Sequence, residues 1–146
     1  AHRERSLPER AQVETLKAEA DVMRAFVVQR RGELEDARLE LQRVESDVQL
    51  VEARIARDGE RLQSSSSVKD IAGLEHEVAS LRARLGDLEE IELGVMETVE
   101  TLESELQAAQ SALDAHLEQL AAAEAARDSA LAAIAEEVAA ARAARA

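Results

Sequence analysis

Leu62-Gln63-Ser64-Ser65-Ser66-Ser67-Val68-Lys69-Asp70-Ile71 is the stretch whose reading decides the fold. Four consecutive serines favour turns and caps over a helix interior, because their hydroxyls compete for backbone hydrogen bonds. On both sides of them the chain follows a heptad rule. Upstream the seam positions are Val13, Leu16, Ala20, Met23, Val27, Arg30, Leu34, Ala37, Leu41, Val44, Val48, Val51, Ile55, Asp58 and Leu62. Downstream they are Ile71, Leu74, Val78, Leu81, Leu85, Leu88, Glu92, Val95, Val99, Leu102, Leu106, Ala109, Leu113, His116 and Leu120. Alternating steps of three and four put such residues along one helix face, as a coiled-coil seam requires.

Two stripes joined by a short polar segment predict a helix that folds back antiparallel on itself. The numbering sharpens this. Residues whose numbers total 132 or 133 pair Leu62 with Ile71, Ile55 with Val78, Val48 with Leu85, Leu34 with Val99, Val27 with Leu106 and Val13 with Leu120. One register therefore serves nearly the whole length, which a parallel arrangement would not produce. The predicted fold class is all-α, a long antiparallel two-helix coiled-coil hairpin.

Composition agrees. Among 146 residues, 34% are charged, Phe26 is the single aromatic, and there is one proline. That leaves little material for a globular core or a sheet, and it matches the composition of long helices. High charge with few aromatics also describes disordered chains, but disorder does not space leucines and valines at a heptad period. The net charge is −13. With no cysteine there is no disulfide and no thiolate metal site. No apolar run approaches the roughly 20 residues that span a bilayer, so the cytoplasm is the expected location. Arginine far exceeds lysine (Lys17 and Lys69 only), which with the many alanines suggests a GC-rich genome.

The predicted organisation is a link at 1–7 from a preceding segment, helix at 8–62, a Ser-rich loop at 63–70, helix at 71–125 and an Ala-rich helical extension at 126–146. Pro8, just after Ser6-Leu7 and before Glu9, reads as a helix start. After Leu120 the large aliphatic residues step by eleven to Leu131, then continue through Ile134 and Val138. That step reads as an inserted four-residue stutter, which would locally unwind the supercoil. Beyond about Arg127 the register has no opposite residue to offer. In the full-length protein a preceding N-terminal helix is expected to cover the stripe Leu131, Ile134 and Val138, and in this chain a second copy in a homodimer, since an exposed apolar stripe gains by being covered.

The polar seam entries Arg30, Asp58, Glu92 and His116 read as devices that discourage other registers at some cost in stability. No constellation for chemistry stands out. His2, His76 and His116 are far apart, and no His-x-x-x-His pair or calcium-loop pattern exists. The carboxylates Glu75 and Glu77, and Glu89, Glu90 and Glu92, read as solvated faces. Ser64 to Ser67 lack a neighbouring base and a nucleophile turn. The isolated glycines Gly32, Gly59, Gly73, Gly86 and Gly94 form no phosphate loop, and are read as flexible points or close approaches. An enzyme is not expected, nor a cofactor in this chain. Nucleic acid is disfavoured by the acidic surface, because counterion release needs a basic one. Arg3, Arg5 and Arg10, with Arg142 and Arg145, are expected at one end of the hairpin.

The stretch from Ser64-Ser65-Ser66-Ser67 through Lys69-Asp70, Leu74, Glu77, Leu88-Glu89 and Met96-Glu97 resembles the signature of bacterial C4-type zinc-ribbon coiled-coil proteins. Glu90 stands where those proteins usually carry Asp, and Gly94 where they carry a larger residue. Arg5-Ser6-Leu7-Pro8-Glu9 resembles the family's link into its long helix. The resemblance implies a zinc ribbon with two Cys-x-x-Cys pairs in the full-length protein. This chain has no cysteine, so no zinc ligand carries over to it. The family's nucleic-acid label goes with the ribbon, whereas in part of the family the resemblance implies a coiled coil that serves protein–protein contacts, including secretion- or flagellum-related ones. The expected role is a scaffold or adaptor whose rod holds its tip (Ser64, Ser65, Ser66, Ser67, Lys69, Asp70) and its base apart, with a protein partner at either or both. The alternative is a zinc-ribbon nucleic-acid-binding regulator in which this segment is only the spacer or dimerisation rod.

Overall fold

The computed structural model describes residues 7–146. It contains two α-helices, α1 (Pro8–Ser64) and α2 (Val68–Arg145), in an antiparallel coiled-coil hairpin. α1 begins where the Leu7 carbonyl accepts the amides of Arg10 at 3.1 Å and Ala11 at 3.3 Å. Pro8 occupies the first helical position, where its missing N–H costs nothing. The possible contribution of Ser6 lies outside the described residues, as do His2, Arg3, Arg5 and the rest of the predicted link.

The turn is shorter than the loop expected at 63–70: only Ser65, Ser66 and Ser67 leave the helices. The serines account for both ends. Ser64 Oγ donates back to the Arg61 carbonyl at 3.3 Å, keeping Ser64 in α1. Ser67 caps α2, its Oγ accepting the Asp70 amide at 3.4 Å and its carbonyl accepting the Ile71 amide at 3.0 Å. Asp70 then lies in the first turn, where a carboxylate complements the exposed amides. Val68, Lys69 and Asp70, expected in the loop, are therefore the first turn of α2.

The described chain divides into two compact units. One holds the termini (Ala1–Arg30 with Glu105–Ala146) and the other the turn (Arg31–Ser104). In the terminal unit Val13, Leu120 and Ala123 form a buried cluster, with Leu16 and Leu117 packed on it. Ala20 and Val27 extend the buried row of α1. In the turn unit Leu34, Val44, Val48, Leu88 and Val99 are buried. Every residue assigned above to the two seam stripes, from Val13 to Leu62 and from Ile71 to Leu120, is buried or half-buried.

The extension differs from the expectation of a stutter. Ala123 and Ile134 are buried, and Arg127 and Ala130 half-buried. These continue the same steps of three and four from Leu120 without a break in phase. Leu131 is half-buried on the flank of that seam, in the row of Leu117 and Glu124, and Val138 in the same row is 44% exposed. The seam changes its residue types here, to alanine and a long arginine, and keeps its geometry. Likewise the glycines mark no close approach: a Cβ at any of the five would meet nothing within 4 Å.

Two interhelical ion pairs in the turn unit reflect the chain direction. Arg38 Nη2 lies 3.1 Å from Glu103, and Arg54 Nη2 lies 2.8 Å from Glu77. Arg38 and Glu103 each follow a seam valine or leucine by four residues (Leu34, Val99). Arg54 and Glu77 each directly precede a seam residue (Ile55, Val78). Like flanks thus face like flanks, as antiparallel helices require. Reversing one charge, Arg54→Glu, is expected to destabilise the hairpin by about 0.5 kcal/mol, and adding Glu77→Arg to recover it. A double-mutant cycle in urea with no coupling would show that the pair contributes nothing.

Candidate functional site

Around the turn, Ser64, Ser66, Ser67, Lys69 and Asp70 are exposed and Ser65 is half-buried. Most of these residues line an open hollow of about 610 Å³ together with Arg61, Gly73, Leu74 and Glu77. The hollow thus brings the turn residues together with Leu74 and Glu77, the next residues of the signature stretch. Two cations, Arg61 and Lys69, and two carboxylates, Asp70 and Glu77, share this wall, so it carries no single sign of charge. Glu77 is engaged from α1: Arg54 Nε donates to its Oε1 at 3.0 Å.

The rest of that motif has mixed roles. Leu88 is a seam residue at 3% exposure. Glu89 and Glu97 are exposed, and Met96 is 39% exposed. Leu74 and Leu88 therefore serve packing, while Glu89, Met96 and Glu97 are exposed, as are Ile91 and Leu93 between them.

The polar seam residues find different solutions. Arg30 Nε stands 3.6 Å from Glu105, and its guanidinium lies 4.9 Å from the centre of the Phe26 ring. The planar cation over an aromatic face and its long stem allow it to pack while half-shielded. His116 Nε2 lies 2.9 Å from the Leu16 carbonyl. A carbonyl only accepts, so this nitrogen carries the hydrogen and donates. The Glu19 carboxylate lies 3.6 Å from the same nitrogen. Glu92 is half-buried. Asp58 is the extreme case, at 3% exposure with its Oδ2 lacking any hydrogen-bond partner.

Among the described residues no group of three or more His, Cys, Asp or Glu is placed to hold a metal ion. No helix there is long and apolar enough to cross a membrane. Arg10, Arg142 and Arg145 are exposed and all belong to the terminal unit. Of the residues expected to self-associate, Ile134 is buried within the single chain and Leu131 is half-buried, leaving Val138 open.

The sequence reading missed the apolar residues outside the seam. Val22 is 71% exposed, Leu50 69% and Leu39 63%, although each has the size of a core residue. A signal was available in the terminal unit: Ala11, Thr15, Ala18, Val22 and Ala25 repeat the same three-four steps on another face of α1.

These features define the chain as an antiparallel coiled-coil hairpin domain. It belongs to the family of the CT398-like coiled coil hairpin domain, whose model matches residues 1–146. Two uncharacterized Mycobacterium tuberculosis proteins, MT2288 and Rv2229c, are each 37% identical to it over 125 residues, 85% of this chain and 51% of theirs. The chain thus spans about half the length of the curated relatives it matches. A solved structure from Mycobacterium smegmatis is similar over 93% of this chain and 56% of its own, with a TM-score of 0.81 and 28% identity.

Proposed function

We propose that the domain is a non-enzymatic scaffold or adaptor that works by binding protein, in the cytoplasm. The observation that carries this is the division of labour between its residues. The shielded seam is spent on holding two helices together, while large apolar side chains and an excess of carboxylates stand on the outside. Side chains such as Val22 and Leu50 gain nothing from water, and covering one is worth about 1.5 to 3 kcal/mol. Protein is the surface able to cover them and to match the surrounding charges at the same time.

The zinc ribbon implied by the family resemblance does not fit residues of this chain. It has no cysteine, and no metal-binding group is placed among the described residues. A zinc-dependent, nucleic-acid-binding role would therefore have to reside in other parts of the longer relatives.

Binding to labelled duplex DNA and single-stranded RNA at graded salt separates the two readings. With a formal charge of −13, the domain is expected to bind neither above background at about 0.15 M salt, because its net negative charge repels the phosphate backbone. Micromolar binding with a steep salt slope would overturn the adaptor reading and promote the regulator.

A further inference from the structure

We infer that one flank of the terminal unit is a docking surface for a basic amphipathic helix of a partner protein, an inference that rests on the adaptor reading and gives it a location. Two hollows mark the surface. One, of about 360 Å³, is lined by Gln12 and Leu16 of α1 and by Gln119, Ala122, Ala123 and Ala126 of α2. The other, of about 430 Å³, is lined by Ala18, Glu19, Val22 and Met23. Gln12, Glu19 and Phe26 are spaced by heptads, as are Leu16 and Met23, so the hollows follow one another along the same flank of α1.

The surface is apolar and open. Val22 is 71% exposed and Phe26 44%. At the first hollow α2 presents Ala122, Ala123 and Ala126, whose short side chains let another helix approach to ordinary interaxial distances of about 8–10 Å. From Gln12 to Phe26 the flank extends about 21 Å along α1 at 1.5 Å per residue. That accommodates about four turns of a partner helix, with apolar anchors at i, i+3, i+4 and i+7.

Charge selects the occupant. Glu19 borders the flank on α1 and Glu118 on α2, both exposed. The cations Arg10, Lys17 and Arg24 fall in a row on the far side of α1, and Arg24 there meets Asp21 at 3.3 Å. Arg30 is engaged by Glu105 and Phe26. A second copy would bring its own Glu19 and its charge of −13 against these carboxylates. A helix with Lys or Arg beside its apolar stripe meets complementary charge instead.

The test titrates the whole chain into a fluorescent helical peptide of about 20 residues. Its heptads carry Leu and Ala at the seam positions and Lys at the flanks; a counterpart carries Glu at the flanks. The Lys peptide is expected to bind at least about tenfold tighter than the Glu peptide at about 0.15 M salt. Val22→Glu with Phe26→Ser is expected to weaken it by about tenfold or more, the size of effect that central anchors carry. Leu50→Glu in the turn unit should leave binding unchanged, and circular dichroism should report the same helicity for all variants. Equal binding of both peptides, or indifference to Val22→Glu, overturns the proposal. So does sedimentation of the chain as a dimer that Val22→Glu dissociates, since the occupant would then be a second copy. None of these outcomes touches the adaptor reading, which fails separately in the nucleic-acid titration.

Discussion

Asp58→Leu is expected to raise the unfolding free energy of the hairpin by about 1–4 kcal/mol. Asp58 stands in the seam at 3% exposure, and its Oδ2 has no hydrogen-bond partner. A buried acceptor left unsatisfied costs about 1–3 kcal/mol, and more when it is charged. Leucine removes that cost and adds apolar burial against Leu74, which the register places opposite. Asp58→Asn should gain less, because the amide remains polar and still needs partners. Chemical denaturation measures the effect. A loss of stability in Asp58→Leu would mean that the carboxylate is satisfied in solution.

Leu34→Ala and Leu88→Ala are each expected to destabilise by about 2–4 kcal/mol, against less than about 0.5 for Leu39→Ala. Leu34 and Leu88 are each 3% exposed, whereas Leu39 is 63% exposed. Truncating a buried leucine loses transfer free energy and leaves a cavity that a two-helix interface can only partly close. Truncating Leu39 removes atoms already in water. Leu39 also tests whether an exposed aliphatic residue on this domain has a structural role. A cost for Leu39→Ala equal to that for Leu88→Ala would show that it is covered in solution.

The seam was legible in the sequence because large aliphatic residues at three-four spacing have one physical explanation, a helix face shielded from water. The constant pair total then supplied direction and register together. The tail was misread for the converse reason. Ala123, Arg127 and Ala130 do not look like seam residues, because alanine buries little and arginine is charged, yet geometry shields them all. Reading only Leu120, Leu131 and Ile134 produced an apparent phase shift. The turn was similarly ambiguous: four equivalent hydroxyls do not reveal which serine ends one helix and which caps the next. The candidate docking flank was hidden because Val22 and Phe26 have the composition of core residues. Their exposure follows from their angular position on α1, which becomes meaningful once the seam is assigned.

Cysteine cross-linking tests the central claim, one antiparallel hairpin held in one register, most directly. The chain has no native cysteine, so introduced pairs report without interference. Val13→Cys with Leu120→Cys probes the terminal unit, and Val44→Cys with Leu88→Cys the turn unit. Mild oxidation at low protein concentration, read by non-reducing mass spectrometry, is predicted to give an intrachain disulfide in each pair. The mismatched pair Val13→Cys with Leu88→Cys should give none. Disulfides formed only between chains, or formed equally well by the mismatched pair, would contradict the hairpin and its register.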